Sequence, residues 1–113
     1  MKLDTSNWIE VVSDESVREG EVLGVKLSDR HIALYRLDGL VFATDGICTH
    51  QRVLLCDGFL EDGQIECPLH QGRFDVRTGK ALCAPLSVDL KTYPVRVIDQ
   101  TIFVMLETGS TST

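Results

Sequence analysis

The chain has 113 residues, 43% hydrophobic and 25% charged, and a formal net charge of -6. It fits one globular domain, residues 1–113, and lacks both the apolar run of about eighteen residues that spans a membrane and the clustered Lys and Arg of a nucleic-acid-binding protein. The N-terminal stretch MKLDTSNWIEVV carries an acid at Asp4 and does not resemble a signal peptide, so we expect a cytoplasmic protein.

Short β-prone segments separated by turn signals occupy the first part of the chain. We predict strands at residues 8–12, 21–27, 30–37 and 40–45, the first of them at a sheet edge. Gly24 is predicted to form a β-bulge. The polar stretch 13–20 predicts a turn, with one helical turn capped by Ser13. Asp38-Gly39 is a strong signal for a two-residue hairpin.

The same alternation continues in the second half of the chain. Turn signals at Asp62-Gly63, Thr78-Gly79 and Asp99-Gln100 each separate two predicted strands. These strands are residues 59–60 with 64–66, 73–76 with 80–82, and 88–98 with 101–106. Pro94 suits an edge or strand-end position, and the tail, 107–113, is expected to be flexible. The sequence therefore predicts an all-β, antiparallel sandwich or barrel.

All four cysteines and two of the three histidines lie between Cys48 and Cys83. Two short motifs stand out within this stretch, Cys48-Thr49-His50 and Cys67-Pro68-Leu69-His70, with residues 51–66 between them. Each motif offers a thiolate and an imidazole from one tight loop. We predict that the two loops close on one metal centre, with four ligands: Cys48, His50, Cys67 and His70.

The ligand types allow two metal centres. Zinc accepts two thiolates and two imidazoles in a tetrahedron, which would make this a zinc-stabilised β-domain with a structural or protein-binding role. A two-iron, two-sulfide cluster suits the mixture of ligands in each motif better, because each loop can give its cysteine to one iron and its histidine to the other. Cys48 and Cys67 would then hold the inner iron, and His50 and His70 the outer one. Imidazole ligands raise the reduction potential above that of an all-cysteine cluster.

The two motifs and the residues after them resemble the Rieske iron–sulfur family. Residues 66–75 (ECPLHQGRFD) and 78–82 (TGKAL) are similar to the small Rieske ferredoxins of bacterial aromatic-ring dioxygenases, of the naphthalene dioxygenase type. The resemblance implies a Rieske-like β-sandwich whose cluster-binding part, about 46–86, is formed by the two ligand loops. It also implies one [2Fe-2S] cluster per chain.

The resemblance further implies a function in electron transport. The chain would be a one-electron carrier, not an enzyme, that accepts electrons from an NAD(P)H-dependent ferredoxin reductase and passes them to a terminal oxygenase. We expect a monomer. A cluster protein serving another system, as a reductase subunit or redox sensor, is a further possibility.

Four positions depart from the Rieske proteins of respiratory complexes. Val53 and Leu69 replace the cysteines that form a disulfide there. Gly72 and Phe74 replace a Ser and a Tyr that donate hydrogen bonds to the cluster or its ligands. Fewer donors stabilise the reduced cluster less, so we predict a potential near the low end of the Rieske range of about -150 to +300 mV.

The remaining candidate residues are assigned lesser roles. Cys56 and Cys83 are predicted to be buried, inert thiols, and His31 a structural or surface histidine. The resemblance implies that Pro85 lies in a third loop covering the cluster. The apolar rim of the docking face is predicted to include Leu69, Gln51, Arg52 and Pro85. An acidic patch between the motifs either steers basic partners or is a solvated loop face; it comprises Asp57, Glu61, Asp62 and Glu66.

Overall fold

The computed structural model describes residues 8–49, 52–68, 72–82 and 88–106. In these ranges, ten strands form in chain order: β1 Trp8–Ser13, β2 Val22–Leu27, β3 Arg30–Leu37, β4 Leu40–Asp45, β5 Phe59–Glu61, β6 Gln64–Glu66, β7 Arg73–Asp75, β8 Thr92–Tyr93, β9 Val95–Ile98 and β10 Thr101–Met105. The same described part of the chain contains two 3-10 turns, Asp14–Ser16 and Leu55–Asp57. In these described ranges, no helix has the length and apolar character needed to cross a membrane.

The strands form three antiparallel sheets with β3 near the centre. The orders are β1-β10-β9, β2-β3-β4-β8 and β5-β6-β7. Because side chains alternate along a strand, β3 buries residues on both of its faces. Ile32 and Leu34 face the core shared with β10, whereas Ala33 and Tyr35 face the core shared with β6 and β7. The prediction of an all-β antiparallel fold is confirmed.

Two apolar clusters hold these layers together. The first lies between the β1-β10-β9 sheet and the central sheet, and its buried members are Val17, Ile32, Leu34, Ala43, Tyr93, Ile102, Val104 and Leu106. The second lies between the central sheet and β5-β6-β7, and its buried members are Ala33, Tyr35, Leu37, Cys48, Leu55, Ile65, Cys67, Phe74, Val76 and Leu90. Both cysteines of the predicted metal motifs therefore belong to the second cluster.

Hairpin turns form where the sequence predicts them. Asp38 and Gly39 have φ values of 53° and 81°, and Asp62 and Gly63 have values of 54° and 75°. Positive φ at both central positions is the requirement of a two-residue turn that matches strand twist. The Asp99-Gln100 turn also has positive φ at both positions.

One long strand was predicted wrongly. Residues 88–98 form two short strands in two sheets, since β8 pairs with β4 and β9 pairs with β10. Pro94 separates them because it has no N–H to donate to a ladder. The chain thus crosses between sheets at this proline, whose strand-end position was predicted correctly.

The predicted bulge at Gly24 is also wrong. β2 pairs with β3 without a break, and Gly24 lies opposite Ala33. The register shifts instead in β1, between Glu10 and Val12. Gly24 is explained by packing, since a Cβ there would lie 2.6 Å from the Cys56 sulfur. The edge position predicted for β1 is confirmed.

Two smaller predictions also change. Residues 80–82 form a single bridge, Phe74↔Ala81, because the Ala81 N–H turns away to the Asp89 carboxylate at 2.8 Å. The helical turn after Ser13 is a 3-10 turn, and the Ser13 hydroxyl bonds the Ser16 hydroxyl instead of capping the backbone. The tail, 107–113, lies outside the described residues.

Candidate metal centre

β4 leads into the first cysteine loop, which hydrogen bonds hold against β3. The Gly46 N–H donates to the His31 carbonyl at 2.8 Å, and the Cys48 N–H donates to the Val53 carbonyl at 3.0 Å. A Cβ on Gly46 would lie 3.0 Å from the His31 carbonyl carbon, so a side chain there would crowd β3. This loop holds Cys48 with only 4% of its surface exposed.

The second cysteine follows β6 directly. The Cys67 N–H donates to the Gly72 carbonyl at 2.8 Å, so this bond joins the described residues on either side of 69–71. Cys67 is 1% exposed, and Gly72 is also buried. Each cysteine thus follows the end of a strand and is buried in the second apolar cluster.

A 3-10 turn connects the two loops. The Leu55 N–H donates to the Gly46 carbonyl at 2.8 Å, and the Leu55 side chain is fully buried. At the other end of the turn, a Cβ on Gly58 would lie 2.0 Å from the Glu66 carbonyl oxygen, which only glycine avoids. The turn thus touches the first loop and the residue that precedes Cys67, and it fixes the two loops relative to each other.

The donor chemistry of this core fits a metal centre. Apolar surroundings disfavour a thiolate, but a coordinating metal deprotonates the thiol and offsets that cost. Among the described residues, no three His, Cys, Asp or Glu side chains form a metal-binding group. The two predicted imidazole ligands, His50 and His70, lie outside those residues. The four-ligand set is therefore still a prediction, with Cys48 and Cys67 placed in one core.

Three of the four positions at which the sequence departs from the respiratory proteins, Val53, Gly72 and Phe74, lie at or beside this core. Phe74 is fully buried in the cluster that contains both cysteines, and its ring has no hydroxyl to donate. Gly72 contributes its carbonyl to Cys67 and has no side chain. Val53 packs against the same cluster and accepts the Cys48 bond through its carbonyl.

Two polar contacts near the first loop were not predicted. The Thr49 hydroxyl donates to the Val88 carbonyl at 2.8 Å, across 39 positions. The Tyr93 hydroxyl donates to the Asp45 carboxylate, which lies at the end of β4, three residues before Cys48. Burial is the main cause that raises the pKa of Tyr93 to about 12, and the Asp45 charge acts in the same direction. Both contacts anchor the end of β4 and the first loop to residues distant in sequence.

Cys56 differs from its predicted state. It is half-buried, not buried, and lines a cleft of about 150 Å³ beside Gly24 and His31. The absence of a side chain at Gly24 leaves this cleft open. Burial, with a smaller effect of the Asp57 charge, raises the pKa of the Cys56 thiol, so the thiol stays protonated at neutral pH, as expected of an inert cysteine. Cys83 lies outside the described residues.

The predicted rim of the docking face is described in part. Arg52 is exposed. Gln51, Leu69 and Pro85 lie outside the described residues. Leu82 and Val88, which flank residues 83–87, are exposed at 41% and 59%. Both of these exposed side chains are apolar, and the predicted rim itself stays a prediction.

Two buried cysteines in one apolar core of an all-β scaffold suit a small metal-centre protein. Residues 7–94 match the Rieske [2Fe-2S] domain. The chain therefore belongs to the Rieske [2Fe-2S] domain family, and its cofactor is a Rieske-type [2Fe-2S] cluster. This match overturns the zinc alternative and confirms the family predicted from the two motifs.

Several relatives of this chain are ferredoxin components. The chain is 52% identical over 103 residues, 91% of its length, to the ferredoxin component of the naphthalene 1,2-dioxygenase/salicylate 5-hydroxylase systems of Ralstonia sp., of which the match covers 99%. It is similar in structure to the ferredoxin of Sphingomonas yanoikuyae B1, with a TM-score of 0.84 at 38% identity, covering 88% of this chain and 98% of that one. The prediction of an electron-transfer component is confirmed.

A solved complex of reduced oxygenase and oxidized ferredoxin in carbazole 1,9a-dioxygenase also contains this fold. Its matching chain has a TM-score of 0.84 and 30% identity, and the match covers 93% of this chain and 98% of that one. In that system, a ferredoxin with this fold binds the oxygenase.

Proposed function

We propose that this chain is a one-electron carrier between an NAD(P)H-dependent ferredoxin reductase and the terminal oxygenase of an aromatic-ring-hydroxylating dioxygenase system. The observation that carries the proposal is the burial of Cys48 and Cys67, 4% and 1% exposed, in one apolar core. When bound, the [2Fe-2S] cluster accepts and returns one electron. The 52% identity to a naphthalene dioxygenase ferredoxin component supports the kind of system.

We propose that the four ligands bind the cluster in two pairs, one pair for each iron. Cys48 and Cys67 would hold one iron, and the apolar core around them would exclude water from that side. His50 and His70 would hold the other iron, where neutral imidazoles would raise the potential above that of an all-thiolate cluster. The Cys67 N–H donates to the Gly72 carbonyl at 2.8 Å, which fixes the backbone of this proposed ligand.

The rest of the proposal concerns the chain as a whole. We propose one domain, 1–113, with the cluster-binding part at about 46–86, acting as a cytoplasmic monomer that needs neither membrane nor nucleic acid. The net charge of -6 supports the lack of a nucleic-acid partner, since it disfavours contact with phosphate backbones and favours protein partners with basic surfaces.

Spectroscopy of the purified protein tests the ligand assignment. We expect a red-brown protein with two irons and two sulfides per chain and, after dithionite reduction, a paramagnetic signal typical of a Rieske cluster. Cys67→Ser should lose the iron, whereas Cys56→Ser should retain it in full. A colourless protein containing zinc, or equal iron loss in both variants, contradicts the assignment.

Reconstitution tests the carrier role. Reductase, NADH, oxygenase and aromatic substrate should turn over only when this protein is added, and omission should stop product formation. Full turnover without it would refute the role, and so would a protein that the reductase cannot reduce although dithionite can.

A further inference from the structure

The outer side of β5-β6-β7 carries an exposed aromatic residue beside the second cysteine loop. Leu60, Ile65 and Phe74 of this sheet point toward the core, so their neighbours along each strand point outward. Phe59, Glu66 and Arg73 pair across the three strands. We call this outward side the Phe59 face; it comprises Phe59, Glu61, Asp62, Gln64, Glu66 and Arg73.

Phe59 is exposed to an unusual degree for an aromatic side chain. Its exposed fraction is 63%, the highest of the large hydrophobic side chains in the described part of the chain. It also lines two clefts, of about 200 Å³ and about 470 Å³. A partner's surface can therefore close around the ring from both sides, as it does around the central aromatic anchors of protein interfaces.

The surroundings of the ring are acidic. The two clefts are lined by four carboxylates and one guanidinium: Glu21, Glu61, Asp62, Glu66 and Arg73. The Arg73 Nε lies 3.6 Å from the Glu66 carboxylate, in a partly exposed pair that water screens. The Phe59 face thus combines an apolar centre with an acidic rim, the anatomy of a transient protein interface.

We propose that the Phe59 face docks a redox partner whose own surface carries Lys or Arg side chains around an apolar pocket that receives the Phe59 ring. The proposal rests on the electron-carrier function. Glu66 precedes Cys67, and Arg73 follows Gly72, which accepts the Cys67 bond. A partner seated on this face is therefore held beside the second cysteine loop, and the acidic rim accelerates its association.

A pair of charge variants tests the rim. Glu61→Gln with Asp62→Asn removes two carboxylates from the Phe59 face. Glu15→Gln with Asp99→Asn removes two from the opposite region near the β9–β10 turn, and is the matched control. Asp62 and Asp99 both occupy turn positions with positive φ, 54° and 51°, which asparagine tolerates.

Stopped-flow association with the reductase and with the oxygenase of a naphthalene 1,2-dioxygenase system measures the effect. At low salt, the face variant should associate about 3- to 10-fold more slowly with at least one of them, with a flatter salt dependence. The control, compared at an ionic strength of about 0.1 M, should change association by less than about 2-fold, because charges more than about 10 Å from the docked partner are then screened. Equal effects of the two double variants would overturn the proposal.

A pair of truncations tests the apolar centre. Phe59→Ala should raise the Kd for the same partner about tenfold or more, whereas Leu40→Ala, at a side chain with a comparable exposure of 62%, should leave it unchanged. No loss with Phe59→Ala would overturn the proposal. Dithionite reduction and the paramagnetic signal are measured on every variant: if they are intact while binding is unaffected, this docking face is wrong and the carrier function stands.

Discussion

Phe74 is a ring without a hydroxyl, packed in the same core as both cysteines. Phe74→Tyr adds a hydrogen-bond donor, which we expect to raise the reduction potential. A bond worth about 1 kcal/mol more in the reduced state corresponds to about 40 mV, since a tenfold change in a one-electron equilibrium is about 59 mV. Spectroscopic redox titration of both proteins measures the shift.

Phe42 supplies the matched control for this substitution. Its ring also packs against the second apolar cluster, but it lies on β4 under the Arg77 guanidinium, 5.3 Å from it. Phe42→Tyr should leave the potential unchanged. Equal shifts in the two variants would show that the hydroxyl at Phe74 acts through a general effect on the fold and not through a bond at the centre.

Gly24 and Cys56 contact each other so closely that a side chain at position 24 would clash with the cysteine. A Cβ on Gly24 would lie 2.6 Å from the Cys56 sulfur and 3.0 Å from its Cβ, so Gly24→Ala should destabilise the fold by about 1–3 kcal/mol through overpacking. Adding Cys56→Ala removes the sulfur and should restore most of that loss. Thermal midpoints of the two single variants and the double variant measure the coupling. Additive effects would contradict it.

At the scale of elements, Arg36 joins β3 to the segment before β2. Its guanidinium donates to the Val17 carbonyl at 2.6 Å, to the Gly39 carbonyl at 3.0 Å and to the Asp14 carboxylate at 2.5 Å. Only 15% of its side chain is exposed. Arg36→Met should therefore cost about 2–4 kcal/mol, because it leaves several partly buried acceptors unsatisfied.

Arg77 provides the comparison for that prediction. Its ion pair with Asp38 spans 3.0 Å, but the two side chains are 43% and 86% exposed. Arg77→Met should thus cost about 1 kcal/mol or less. Denaturant midpoints of both variants test the difference, and a larger loss at Arg77 would mean that burial does not govern these contacts.

Local chemistry explains which elements could be predicted from the sequence. The Asp-Gly turns are dictated by two adjacent residues, so their positions were correct. The division of residues 88–98 between two sheets depends on which strands lie beside Pro94, and no local pattern contains that information. The bulge in β1 likewise follows from its pairing with β10. Gly24 suggested a bulge in β2 because glycine in a strand often marks one, but the structure has no bulge there, and the glycine is needed for close packing against Cys56.

For the whole molecule, the two metal motifs could be proposed from the sequence because each pair of predicted ligands lies within four consecutive residues. The supports of the first loop were not, because they join distant positions. Thr49 bonds Val88, and Asp45 bonds Tyr93. No local sequence pattern identifies either pair, because the bonded residues are 39 and 48 positions apart and come together through the fold, in which β8 pairs with β4.

Both tyrosines of the chain are buried, and this makes the stability of the molecule depend on pH in the alkaline range. Burial raises the pKa of Tyr93 to about 12 from an ordinary value of about 10, and desolvation also raises the pKa of Tyr35. The unfolded chain therefore loses these protons at a lower pH than the folded chain. The stabilising contribution is complete below pH 10 and is lost as pH rises toward 12.

The expected loss is about 1.4 kcal/mol per pH unit for each tyrosine, so the apparent thermal midpoint should fall steeply between pH 10 and 12. Tyr93→Phe removes one of the two titrating groups and should roughly halve that slope, although it also removes the bond to Asp45 and lowers the midpoint at neutral pH. Thermal scans at one fixed rate from pH 7 to 12 compare the two proteins. An unchanged slope in Tyr93→Phe would show that its hydroxyl does not control alkaline unfolding.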